Sequence, residues 1–244
     1  IIPGISYSNS NPTFGSVNDI DGNTYQTTII NGKEWMIDDL LVSKYSNGIQ
    51  IPTHSGSGGS GNSSYNINCT NPRYVYISNS GGSNIPRAYY NAHALQAGNV
   101  CPANWHVATE QEYKEIFRLF GTVDTVPAHL VGNGYPYTFN DIGPALKSTL
   151  SSAGWTVTYS NNGVKGLTNN VSNLSLENIT NPGCTNLHQF NYSNNNGSST
   201  LYYTSTLAPV NGGNYAVRIN DGEDNVYFVD NSPYHLYRVR CVKD

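Results

Sequence analysis

Charge is scarce in this chain. Lys, Arg, Asp and Glu make up only 11% of its 244 residues, and the formal net charge is -4. No basic field exists to release counterions from a phosphate backbone, so nucleic acid is not an expected partner. Long apolar runs are missing too, and nowhere are there the ~18 consecutive apolar residues that a membrane-crossing helix needs. Catalytic signatures are also absent. There is no G-x-S-x-G turn, and the six histidines (His54, His93, His106, His129, His188, His235) are scattered, with no pair at i, i+4 around a Glu. No Cys-x-x-Cys and no Cys/His cluster at zinc spacing occurs. These absences argue against an enzyme, and no catalytic residue, metal ligand or cofactor is expected. The sequence starts Ile1-Ile2-Pro3, so the lack of a signal segment in it carries no weight against export.

What is abundant is equally specific. The chain has 34 Asn, 24 Gly and 19 Tyr against a single Met. Asn and Gly favour turns and positive φ, and Tyr favours strands while offering an apolar body with a polar tip. A cytosolic enzyme carries more Lys, Glu, Ala and Leu. Four cysteines (Cys69, Cys101, Cys184, Cys241) allow three pairings, and the even count in a polar, Tyr-rich chain points to disulfides and an oxidising compartment.

Residues Ile1 to Asn18 mix Ser, Asn, Pro and Gly without periodicity and read as an arm or linker. A hairpin follows: Thr24 to Ile30, an Asn31-Gly32 type I′ turn, and Lys33 to Leu41 with Trp35 and Ile37 on one face. Residues 46 to 84 form a long insertion containing Ser55-Gly-Ser-Gly-Gly-Ser-Gly61. Gly56, Gly58 and Gly61 satisfy a G-x-G-x-x-G pattern, but Pro52 stands before it and Asn-Ser-Ser-Tyr after it, so it reads as a flexible loop. A short helix is expected over Ala88 to Ala97. A second is expected from Thr109, with Glu112 completing a capping box, Gly121 at C′, and Tyr113, Ile116, Phe117 and Phe120 forming one apolar stripe. A third, over Ile142 to Leu150, carries Gly143 and Pro144 in its first turn. Strands are expected over Leu201 to Leu207, Asn214 to Asn220, Asn225 to Asp230 and Leu236 to Val242, with an Asp221-Gly222 hairpin turn. Hairpin, helices, irregular middle and terminal antiparallel strands make an α+β class.

Several short motifs occur in a fixed order: Asp21-Gly22-Asn23-Thr24-Tyr25, Trp35-Met36, Ala88-Tyr89-Tyr90-Asn91, Cys101-Pro102 with Trp105-His106, Ala145-Leu146-Lys147-Ser148, Tyr203-Thr204-Ser205-Thr206 and Val239-Arg240-Cys241-Val242-Lys243-Asp244. In this arrangement the segment from residue 19 to 244 resembles the Fibrobacter succinogenes major paralogous domain family of the C-type-lectin-like superfamily. The resemblance implies a C-type-lectin-like domain over 19–244 behind an N-terminal arm, with antiparallel sheets, two main helices and long irregular loops. It implies that Cys101 pairs with Cys241, closing the chain's end onto its middle, which by elimination leaves Cys69 to pair with Cys184. Where the family has Trp-Ser-Ser-Thr this chain reads Tyr203-Thr-Ser-Thr206, and the Cys69/Cys184 pair with the Gly/Ser insertion looks like an elaboration. A formylglycine-generating relative would need a reactive cysteine pair, whereas these cysteines read as structural.

The superfamily also includes variable proteins diversified by retroelements, in which mutagenesis of Asn codons yields Asn, Tyr, Ser, Asp, His and Thr. Residues 202 to 238 are rich in that set, around a fixed framework that includes Arg218-Ile219. The expected ligand-binding residues are Tyr202, Asn211, Asn214, Tyr215, Asn225, Tyr227, Tyr234 and His235, alternating with an apolar framework of Val217, Ile219, Val226, Phe228, Leu236 and Val239. Lectin calcium patterns are missing, and Asp221, Glu223 and Asp224 read as a solvated hairpin tip. His106 is expected to be packed and hydrogen-bonded. The functional expectation is a non-catalytic extracellular binding module, an adhesin or receptor-binding domain recognising a glycan or protein. The competing expectation is a structural subunit of a surface fibre or phage tail that uses the same face to form a homo-oligomer.

Overall fold

The computed structural model of the chain describes residues 14–53, 63–65, 71–72, 74–77, 87–120, 122–125, 137–140, 174–175, 188–192, 199–210, 212–220, 226–230, 233 and 235–244. Over these residues the protein is mostly β-sheet with two short helices, an α+β arrangement.

The first sheet grows from the Asn31-Gly32 turn. Both residues adopt positive φ, 51° and 77°, so the two-residue turn matches the twist of the strands it joins. β2 (Thr24–Ile30) and β3 (Lys33–Met36) pair in the register this turn imposes, from Ile30 opposite Lys33 to Thr27 opposite Met36. Two differences from expectation appear here. Residues 14–18, read above as the end of an arm, form β1 (Phe14–Asn18) along the outer side of β2. The strand after the turn stops at Met36 rather than running to Leu41, and the residues beyond it turn into the interior.

Tyr74–Ile77 (β5) pairs antiparallel with Arg87–Tyr90 (β6). The expected helix over 88–97 therefore begins only at Ala92. Tyr89 and Tyr90 favour an extended chain, and Asn91 caps the short α1 (Ala92–Ala97) by accepting from the Ala94 amide at 3.0 Å. Helix α2 (Glu110–Phe120) follows the expected capping box: Thr109 Oγ1 accepts from Glu112 N at 3.1 Å and Glu112 Oε2 accepts from Thr109 N at 2.8 Å. Its Tyr113, Ile116 and Phe117 are buried with Trp35 and Phe228.

The second large sheet holds, in spatial order, β15 (Arg238–Val239), β12 (Ser199–Leu207), β13 (Asn214–Asn220), β14 (Val226–Asp230), β9 (Tyr137–Asn140) and β8 (Thr122–Thr125). The last segment was expected as one strand from Leu236 to Val242. It divides instead: β15 lies in this sheet, and after Arg240 the chain crosses to the first sheet as β16 (Cys241–Lys243), between β3 and β7 (Trp105–Val107). Two strands complete a small separate sheet, β4 (Ser63–Tyr65) and β10 (Leu174–Ser175) flanking β11 (His188–Tyr192).

Cys101 and Cys241 form the expected disulfide, spanning 140 residues with both cysteines buried. Closing a loop of that length stabilises the fold by about 4–5 kcal/mol in the chain-entropy picture. Cys69, Cys184, the Gly/Ser stretch 55–61, Ile142 to Leu150, and the Asp221-Gly222 turn with Glu223 and Asp224 lie outside the described residues.

Candidate binding surface on the C-terminal sheet

Side chains alternate across a strand, so the register of β12, β13 and β14 decides which residues face outward. The row Tyr202–Val217–Phe228 faces α2, as do Ile219 and Val226. The next row, Tyr203–Ala216–Val229, faces the opposite cluster, which contains α1 and the disulfide. All six framework residues, Val217, Ile219, Val226, Phe228, Leu236 and Val239, are buried as expected.

The residues expected to bind are less uniform. Tyr202 is only 2% exposed, under the guanidinium of Arg240 at 5.2 Å, and it is a core residue. Its phase in β12 is that of the α2-facing row, and α2 covers it. Asn214 is also 2% exposed: its Nδ2 donates to Thr204 O at 2.9 Å and its Oδ1 accepts from Gln96 Nε2 at 3.0 Å, clipping α1 to the hairpin. Neither belongs to an exposed face. Tyr215 and Tyr227 are half-buried but point to opposite sides of the sheet. Tyr215 has the α2-facing phase opposite Asp230, and Tyr227 lies opposite Arg218 on the other side. His235 is half-buried, with Nδ1 at 2.9 Å from the Tyr237 hydroxyl, while its carbonyl accepts from Tyr203 OH at 3.1 Å. Asn211, Asn225 and Tyr234 lie outside the described residues.

What the register brings together instead is the row Leu201–Arg218–Tyr227, on the side away from α2, with all three side chains half-buried. Leu201 and Tyr227 pack against the cluster beneath while keeping part of their surface in solvent. Arg218 was grouped above with the framework. Its alternation against Val217 and Ile219 was the signal that separates it. A guanidinium with five fixed donors beside a partly exposed phenol ring provides hydrogen bonding and an apolar stacking face in one place.

The segment Tyr203-Thr-Ser-Thr206 serves the scaffold. Thr206 Oγ1 accepts from the Glu110 amide at 3.0 Å, satisfying one of α2's first N–H groups, and Ser205 N donates to Ala108 O at 3.0 Å. Thr204 Oγ1 donates to Tyr215 O at 3.0 Å. His106 is hydrogen-bonded, as expected: its Nδ1 lies 2.6 Å from Asp244 Oδ1 and its Nε2 3.0 Å from Glu112 Oε2. Glu112 is the centre of that group. Burial alone would raise its pKa, but the Thr109 amide, Lys33 and His106 together bring it down to about 2. Among the described residues, no three His, Cys, Asp or Glu side chains are placed to hold a metal ion.

The profile of the Fibrobacter succinogenes major domain matches residues 29–243. No curated protein and no solved structure matches the chain.

Proposed function

The chain belongs to the Fibrobacter succinogenes major domain family, and from that premise we propose that it is a non-catalytic binding module acting outside the cell. It recognises a glycan or a protein through its C-terminal strands, on a C-type-lectin-like scaffold. The observation that carries the reading is the half-buried row Leu201–Arg218–Tyr227, set on a sheet whose alternate residues are buried framework. Residues at such positions change without unfolding the sheet beneath them. The recognition set narrows to Arg218 and Tyr227, and Tyr215 serves only a partner reaching the opposite side. The buried Cys101–Cys241 bridge is compatible with an oxidising compartment. Among the described residues, no helix is long and apolar enough to cross a membrane.

A labelled sample of the chain probed on a glycan array and on an array of cell-surface ectodomains tests this reading. Specific binding is expected to be lost in the Arg218→Ala, Tyr227→Ala double variant while its far-UV circular dichroism stays unchanged and its melting temperature falls by only a few degrees. Binding that survives the double variant places recognition off this row.

A further inference from the structure

Among the described residues, the outer edge of the first sheet is built differently from the other edges of the two large sheets. β1 has a single neighbour among the described residues, β2, and so presents a row of backbone groups outward. Proteins blunt such edges with charge, proline or a bulge. Here Phe14-Gly-Ser-Val-Asn18 carries no charge and no proline, and its register with β2 is regular over all five residues. The opposite edge, β7, carries His106 between two carboxylates. In the other large sheet, β8 carries Asp124, and Tyr237, just before β15, is bridged by two backbone hydrogen bonds to Tyr90.

The strand also lies close against its neighbour. A Cβ on Gly15 would sit 2.7 Å from Thr27 Oγ1, so only glycine lets β1 lie this close to β2. One cross-strand row runs Phe14–Thr28–Trp35–Val242–His106, buried in its middle and ending on a Phe14 that is 49% exposed. At the other end of β1, Asn18 lines a cleft of about 260 Å³, whose walls include Ile20, Val42, Val100 and Pro102. The family match begins at residue 29, so β1 is not part of the matched segment.

We propose that β1 is a self-association edge, pairing antiparallel with β1 of a second copy of this chain about a two-fold axis at Ser16. In that register Ser16 faces its own copy, Gly15 faces Val17, and Phe14 faces Asn18 at the mouth of the second copy's cleft. The apolar row then gains a neighbour beyond Phe14, and the two five-stranded sheets become one continuous sheet. Pairing an uncharged strand with itself desolvates no like charges, and a two-fold contact closes on itself rather than propagating. This surface is separate from the row proposed for recognition.

The test is sedimentation or light scattering of the whole chain at ~100 μM, a concentration suited to an interface below about 1,200 Å². A dimer is expected for the wild type, and a monomer with unchanged circular dichroism for Ser16→Lys, which sets two ammonium groups opposite each other. Ser16→Cys should form an intermolecular disulfide on mild oxidation. Facing residues in an antiparallel pair lie about 4.5–5.5 Å apart at Cα, inside the range a disulfide spans. A wild-type monomer overturns the proposal, including one whose edge captures a foreign strand instead. So does a dimer that persists in Ser16→Lys and gives no cross-link through Ser16→Cys.

Discussion

Arg240 places its Nη2 2.7 Å from Asp39 Oδ1 at the point where the C-terminal chain leaves one sheet for the other. The same carboxylate holds Arg238, with Nη1 at 2.9 Å from Oδ2, and both arginines are buried. Asp39 reaches them because the chain leaves β3 after Met36 and turns inward. Two aromatic faces assist, Tyr89 under Arg238 at 5.8 Å and Tyr202 under Arg240 at 5.2 Å. This double ion pair fixes the crossing of β15 into β16.

Asp39→Ala is therefore expected to be among the most damaging single changes in the protein. It leaves two guanidinium groups buried without their shared anion, and breaking a buried pair in this way costs about 3–5 kcal/mol. Denaturant unfolding measures the loss. A change below about 1 kcal/mol, typical of exposed ion pairs, would mean that Asp39 does not organise the crossing.

Acid should weaken the same end of the fold through Glu112. Its pKa in the folded protein, about 2, lies below its ordinary value of 4.5. A depressed carboxyl stabilises the fold fully above the ordinary value, and the contribution disappears as pH falls from about 4.5 toward 2. Unfolding free energy measured between pH 6 and 2 should fall across that window, and Glu112→Gln should flatten the fall. An identical slope in the variant would assign the acid sensitivity to other carboxylates.

Helix α2 offers a comparison of cap against core. Phe117 is buried against Tyr113 and Phe228, with ring centroids 5.8 and 5.7 Å away. Phe117→Ala should cost about 3–5 kcal/mol, and Thr109→Ala about 1 kcal/mol through the lost cap. Chemical denaturation of both variants checks the ratio. Equal costs would mean that the helix does not pack as its spacing implies.

Local chemistry was the legible part of this chain. Asn31-Gly32, Thr109 with Glu112, and the alternation of Val217, Ile219, Val226 and Phe228 each act over a few residues, and the turn, the cap and the buried framework follow directly. The bond between Cys101 and Cys241 was legible only through a family resemblance. What escaped was set by distant partners. Tyr237 to Cys241 alternates apolar and charged residues straight through Arg240, so nothing in that run marks Arg240 as a crossing; Asp39, some 200 residues away, does. Tyr202, Tyr215 and Tyr227 are the same residue type in similar strands, and Tyr serves core and surface equally well. Their separation needed the register between strands and the position of α2.

That separation yields the prediction that bears most on function. Tyr202 is in the core beside Arg240, whereas Tyr215 and Tyr227 keep part of their rings in solvent on opposite sides of the sheet. Tyr202→Ala opens a cavity beneath a buried cation and should cost about 3–5 kcal/mol, the range for removing a large buried ring. Tyr227→Ala removes a half-buried ring and should cost clearly less, roughly 1–2 kcal/mol on the area scale. Thermal and denaturant unfolding of the two single variants decides the order. If Tyr227→Ala unfolds the protein as readily as Tyr202→Ala, the phenol is scaffold and the row with Arg218 loses its claim to recognition. If it folds normally, its loss of partner binding on the arrays can be read as a direct contact.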